Sequence, residues 1–235
     1  LQRLGLPTRS PLVALPARAP LFEDPARVVG VRDYVSGDSP RRIHWTATAS
    51  TGRLLVKNYQ PAIARETLIG LDLDEASYPI RHRYEAVELA IVVAASLANH
   101  VVVREGLPVG FATEAWDARL QNRAAVFLPP RRERAHLMSV LEALACVQPA
   151  PATPFPELLR RTSTRLAWGA TLAVITGRES AELFEALAYL RRAGFAVALI
   201  VVQPGRPSLE LRQRAGLLHL PVHHVWRERD LEGWG

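Results

Sequence analysis

One cysteine in 235 residues leaves no partner for an internal disulfide and points to a reducing compartment. That residue, Cys146, closes an apolar helical run and reads as a buried, inert thiol rather than a nucleophile. Long hydrophobic runs are missing as well. The nearest approach to the roughly 18 uninterrupted apolar residues of a membrane helix, residues 86–103, is broken by Glu88, Asn99 and His100. There is no Gly-rich phosphate loop, no GxSxG elbow and no HExxH helix, so catalysis has no positive signal. His219, His223 and His224 cluster near a terminal strand, but no Cys or acidic group joins them at ligand spacing. Internal repeats and low-complexity tracts are absent. The chain starts at Leu1 without a signal pattern or anchor, which reads as a fragment or a processed form of something longer.

What is there is a globular composition, 49% hydrophobic and 22% charged, long enough for one full core and a small appendage. The net charge of +6 is confined to one end: residues 1–65 hold ten Lys/Arg against four Asp/Glu, and the rest hold nineteen of each. That asymmetry fits an acidic protein, a membrane surface of anionic lipid, or nucleic acid. Nucleic acid fits worst, because the arginines are scattered among prolines and no stacking series of aromatics accompanies them. Prolines at positions 7, 11, 16, 20 and 25 forbid regular helix, so residues 1–25 read as an extended arm.

Residues 31–59 carry the unusual chemistry. A short strand over 27–34 precedes a helix over 40–51. Ser39 suits the N-cap, Pro40 the first turn and Gly52 the left-handed residue after the last turn. A strand over 54–59 follows. On this helix Arg41 and Trp45 stand four apart on one face, with Arg42 and His44 beside them and Asp38 near the positive end of the helix dipole. Two readings stand side by side. Either Trp45 and Ile43 dock the helix on a larger core, or Asp38, Arg41, Arg42, His44 and Trp45 form a recognition surface for a partner.

From residue 66 short apolar runs alternate with helices, the pattern of a doubly wound, mainly parallel α/β sheet covered on both faces. Strands are predicted over 67–73, 171–176 and 195–202. A hairpin at a sheet edge is predicted from 108–113 and 124–128, with Trp116 in its loop, and a final edge strand over 221–226. Helices are predicted over 84–103, 133–147, 155–168, 208–215 and from the Ser180 cap to Gly194. The first of these is apolar on nearly every face and should be buried. The domain boundary falls between residues 65 and 66. Ligands of such sheets bind at the carboxyl ends of the strands, here the loops 72–77, 148–156 and 176–180. Asp72, Asp74, Ser77, Thr153 and Thr176 offer oxygens there, a ligand type suited to a hard cation such as Mg²⁺.

The run RDYVSGDSPRRIHWTATASTGRLLVK, residues 32–57, closely resembles the signature of the DUF58 family, and the similarity extends over residues 28–202. The resemblance implies a von Willebrand factor A-like, Rossmann-like domain after the signature, membrane helices upstream, and an association with MoxR-type AAA+ ATPases. It also implies comparison with a metal-ion-dependent adhesion site, a D-x-S-x-S loop joined by a Thr and a later Asp. Asp72 matches the first position, Asp74 and Ala76 replace the two serines, Thr153 matches the threonine, and Gly177 stands at the later Asp. The resulting expectation is a non-catalytic protein-interaction module at the cytoplasmic face of a membrane, an adaptor for a MoxR-type ATPase, with no cofactor. The alternative is a metal-dependent enzyme or adhesion-type domain with a degenerate Mg²⁺ site at Asp72, Asp74 and Thr153.

Overall fold

The computed structural model describes residues 23–35, 43–61, 66–205, 208–227 and 230. They belong to two compact units, one within residues 13–63 and one holding the chain from residue 64 onward. The predicted arm, Ser39 and Pro40 lie largely or wholly outside the described residues.

The smaller unit is an antiparallel pair. β1 (Glu23–Asp33) runs against β2 (Leu55–Pro61), with Arg32 opposite Val56 and Asp33 opposite Leu55. The helix between them, α1 (Trp45–Thr51), starts later than the turn chemistry of Ser39 and Pro40 predicts. Ile43 bridges Val56, and the His44 amide donates to the Leu55 carbonyl at 2.8 Å, so residues 43–44 are held extended along β2 before a helix can begin. The N-cap is His44, whose Nδ1 accepts the Ala47 amide at 3.1 Å. The other end is as expected: Gly52 has φ 68°, and its amide donates to the Thr48 carbonyl. Ile43, Leu55 and Val56 are buried, whereas Trp45 is 68% exposed. Ile43 is thus buried beside β2, ahead of the helix rather than on it, and Trp45, the residue that the docking reading places on the helix, is exposed.

In the larger unit the elements are β3 (Thr67–Leu71), α2 (Arg83–Asn99), β4 (Val109–Asp117), β5 (Asn122–Arg131), α3 (Arg134–Cys146), β6 (Val147–Gln148), α4 (Phe155–Ser163), β7 (Thr171–Thr176), α5 (Ala181–Arg192), β8 (Ala196–Val202), α6 (Leu209–Leu217) and β9 (Val222–Val225). The strands lie in the order β5-β4-β3-β7-β8-β9, with β6 pairing the end of β4. All neighbours are parallel except the β4–β5 hairpin and the β4–β6 contact. β3, β7 and β8 are buried along nearly their whole length, as continuous apolar runs in a covered sheet should be. One face packs on α2 and α3, the other on α4, α5 and α6. Side chains such as Leu159, Leu187 and Leu190 are fully buried, each stabilising the fold by about 1.5–3 kcal/mol.

The helical stretch Ile80–Arg104 is long and apolar enough by composition to cross a membrane. Its α2 part, however, buries Ala86, Val87, Ala90, Val93, Ala94 and Leu97 against the sheet, so it is a core helix.

Three local expectations are corrected. Trp116 lies within β4 rather than in a loop, because Asp117 closes the hairpin tightly: its Oδ1 accepts the Arg119 amide at 2.8 Å, and Arg119 Nη2 reaches Oδ2 at 2.9 Å. The helix predicted over 155–168 ends at Ser163, where the hydroxyls of Thr162, Ser163 and Thr164 turn back onto carbonyls three or four residues earlier. Cys146 is half-buried at the end of α3 rather than buried.

Candidate functional site

β3 lies between β4 and β7, and the chain leaves it toward β4 before returning to build β7 on its other side. The loops after β3 and β7 therefore diverge over a topological switch point, the position at which open α/β sheets bind ligands. Asp72 is the first residue past β3. Its amide still pairs with the Ile175 carbonyl at 2.9 Å, which holds its side chain beside the end of β7.

The crevice is filled by the chain itself. Asp72 is 3% exposed: Oδ1 accepts the Asp74 amide at 3.1 Å, and Oδ2 accepts the Thr176 hydroxyl at 2.7 Å. Burial raises the Asp72 pKa above the ordinary carboxylate value, against smaller opposing effects from Ser77, Thr176, the Asp74 amide and Arg178. Tyr78 is buried, and its hydroxyl donates to the Asp72 carbonyl at 2.6 Å. Burial, with the nearby Asp72 charge, pushes the Tyr78 phenol well above its usual pKa. The Tyr78 ring lies on Gly177 so closely that a Cβ there would stand 2.5 Å from Tyr78 Cδ1 and 2.7 Å from the Ser77 carbonyl oxygen. The aspartate that the adhesion-site pattern implies at this position is thus excluded by packing.

Asp74 faces the crevice rim. Its Oδ1 accepts the Ala76 amide at 3.2 Å, capping the 3₁₀ turn Glu75–Ser77, and its Oδ2 meets Arg178 Nη2 at 3.3 Å. Arg178 is anchored at its backbone as well, donating its amide to Thr176 Oγ1 at 3.0 Å. Just beyond, Ser180 caps α5 by accepting the Leu183 amide.

Thr153 belongs to a different set. Its amide and hydroxyl both donate to Glu114 Oε1, at 3.1 and 3.0 Å. Glu114, only 7% exposed on β4, also meets Arg123 at 3.3 Å and Arg161 at 3.9 Å. The loop carrying Thr153 is tied to the loop after β3 by the Ala150 amide donating to the Leu73 carbonyl at 3.1 Å. Asp72 and Asp74 are therefore brought together, while the hydroxyl of Thr153 is committed to Glu114.

A hydrated divalent ion needs free oxygens in near-octahedral array. Both carboxylates of the predicted set already hold protein donors, Thr153 is engaged elsewhere, and Gly177 offers none. The residues as placed do not fit Mg²⁺. Among the described residues no three His, Cys, Asp or Glu side chains converge. At the terminal strand, His224 Nε2 lies 2.9 Å from the Gln203 carbonyl oxygen.

Of the predicted partner-binding residues, Asp38, Arg41 and Arg42 lie outside the described residues. His44 serves as a helix cap, and Trp45 is exposed. Sequence reasoning missed Tyr78, Glu114 and Arg178. Arg178 alone carried a signal, a cation two residues past the buried β7, in one of the loops at the carboxyl ends of the strands. Shortly after Tyr78 the chain carries Ile80 on a 3₁₀ turn and Tyr84 in the first turn of α2, and these are 85% and 79% exposed.

Solved structures resemble the larger part of the chain. A von Willebrand factor type A protein from Catenulispora acidiphila aligns at 13% identity with a TM-score of 0.50, over 76% of this chain and 42% of that one. Proximal thread matrix protein 1 from the mussel byssus aligns at 14% identity with a TM-score of 0.50, over 73% and 46%. An aerotolerance-related membrane protein from Bacteroides fragilis aligns at 15% identity with a TM-score of 0.49, over 72% and 94%. This chain thus spans less than half the length of the first two, and at such identities the likeness establishes the von Willebrand factor A fold alone. No curated protein matches the chain in sequence. Residues 30–209 match the family described as "Protein of unknown function DUF58", and the chain belongs to that family.

Proposed function

We propose that the chain is a non-catalytic protein-interaction module that works through the face at the carboxyl ends of β3 and β7. The observation that carries this reading is the filling of the switch-point crevice by Tyr78 and by the Asp74–Arg178 pair. Where a substrate would enter, the fold presents a closed surface, flanked by the exposed Ile80 and Tyr84. Large exposed apolar side chains beside charged ones are the composition of a docking surface. In the signature segment Trp45 is exposed in the same way. The family resemblance supplies the finer reading: a MoxR-type AAA+ ATPase as the partner, met at the cytoplasmic face of a membrane.

Pull-down of such an ATPase by the chain tests this. Tyr84→Ser with Ile80→Ser should abolish recovery with the fold intact by circular dichroism, and Trp45→Ala or Arg41→Glu/Arg42→Glu should reduce it. Undiminished recovery by the Ile80/Tyr84 variant removes the carboxyl-end face from the interface, and undiminished recovery by the others removes the signature segment.

A further inference from the structure

We infer that Arg178 is a tethered cation, supplying from within the chain the positive charge that the adhesion-site pattern takes from a divalent ion. The inference concerns the charge in the crevice and does not rest on the docking reading.

Two carboxylates stand two residues apart at the end of β3, and one of them is buried. One arginine from the loop after β7 serves both. It meets Asp74 directly through Nη2. It reaches Asp72 through Thr176, whose hydroxyl donates to Asp72 Oδ2 and accepts the Arg178 amide. Arg178 thereby spans 104 residues of sequence to join the first and second halves of the sheet across its switch point. Its side chain is 40% exposed and that of Asp74 17%, so the pair sits at the rim, open to solvent ions.

A divalent ion bridging the two carboxylates would compete for the Oδ2 atoms that Thr176 and Arg178 now engage. A guanidinium held on Asp74 Oδ2 repels a dication arriving at the same oxygen, so ion and guanidinium compete for the rim. A guanidinium stays charged at every accessible pH and cannot be removed by a chelator. The rim carboxylate is therefore neutralised from within the chain, and Arg178 is the charge that an arriving ion would have to displace.

The test is the electron paramagnetic resonance signal of free Mn²⁺ titrated with the full chain. Wild type and Arg178→Lys should leave the signal undiminished at millimolar ion. Arg178→Ala and Arg178→Gln should each take up one Mn²⁺ per chain, and adding Asp74→Asn should abolish that uptake. Arg178→Gln removes the charge but keeps a polar, shorter side chain, and serves if Arg178→Ala does not fold. Stoichiometric Mn²⁺ binding by the wild type or by Arg178→Lys overturns the inference. So does the failure of both neutral variants to bind the ion, since the carboxylates would then not be poised for a cation at all.

Discussion

Gly177→Ala is the most direct probe of how the crevice is closed. The added methyl would stand 2.5 Å from Tyr78 Cδ1, 2.8 Å from Cε1 and 2.7 Å from the Ser77 carbonyl oxygen. None of these atoms yields cheaply. The Tyr78 ring is buried and held by its hydroxyl on the Asp72 carbonyl, and Ser77 contributes backbone. Overpacking of this kind costs about 1–3 kcal/mol. In a chain of this size that corresponds to a fall in Tm of about 2–12 °C. Urea unfolding followed by circular dichroism reads the free energy, and a second arm isolates the cause. Tyr78→Ala by itself opens a cavity and should cost about 3–5 kcal/mol. In Tyr78→Ala/Gly177→Ala, however, the methyl has room on the ring side. The double variant should accordingly be more stable than the sum of the singles by about 0.5–3 kcal/mol. A Gly177→Ala protein within about 0.5 kcal/mol of wild type, or strict additivity in the cycle, would refute the argument that packing excludes a side chain here.

Two further outcomes follow from named contacts. Glu114→Ala removes the acceptor of both Thr153 donors, a charge-assisted pair of bonds that together should stabilise the fold by about 1.5–3 kcal/mol; amide exchange at Thr153 should accelerate, and unchanged protection would show that the loop is held by its prolines instead. Asp72 has a pKa raised from 3.8 by burial, so the folded chain keeps a proton that the unfolded chain releases, and stability falls as pH rises from 3.8 through the raised value. Asp72→Asn should flatten that part of the stability–pH curve, and identical slopes in the two proteins would contradict the assigned shift.

Much of the fold was legible because its signals are local. The apolar runs of β3, β7 and β8 name themselves as covered strands, Ser180 and Gly52 act at the helix ends where their chemistry places them, and α2, apolar on nearly every face, is buried except along the side carrying Tyr84, Glu88 and Val92. The misplacements have equally physical causes. Ser39 and Pro40 carry strong start signals, yet pairing of Ile43 and His44 with β2 delays α1 to Trp45. The cap supplied by His44 is invisible to residue preference. The end of α4 at Ser163 reflects three successive hydroxyls competing for backbone carbonyls.

The sequence by itself determined the alternation of strands and helices, the signature segment of the family and the presence of Asp72 and Asp74 at the end of the first central strand. It could not decide what those carboxylates meet. Thr153 matches the adhesion-site threonine by type, but Glu114, 39 residues away, takes its hydroxyl. Gly177 stands where an aspartate is implied, and only the Tyr78 ring packed against it explains why no side chain fits. Arg178 reaches Asp74 only because β7 returns to pair with β3. Helix and strand propensities act over a few residues, whereas the charge of this crevice is set by side chains that the sheet brings together from distant parts of the chain, and that was left to the tertiary structure.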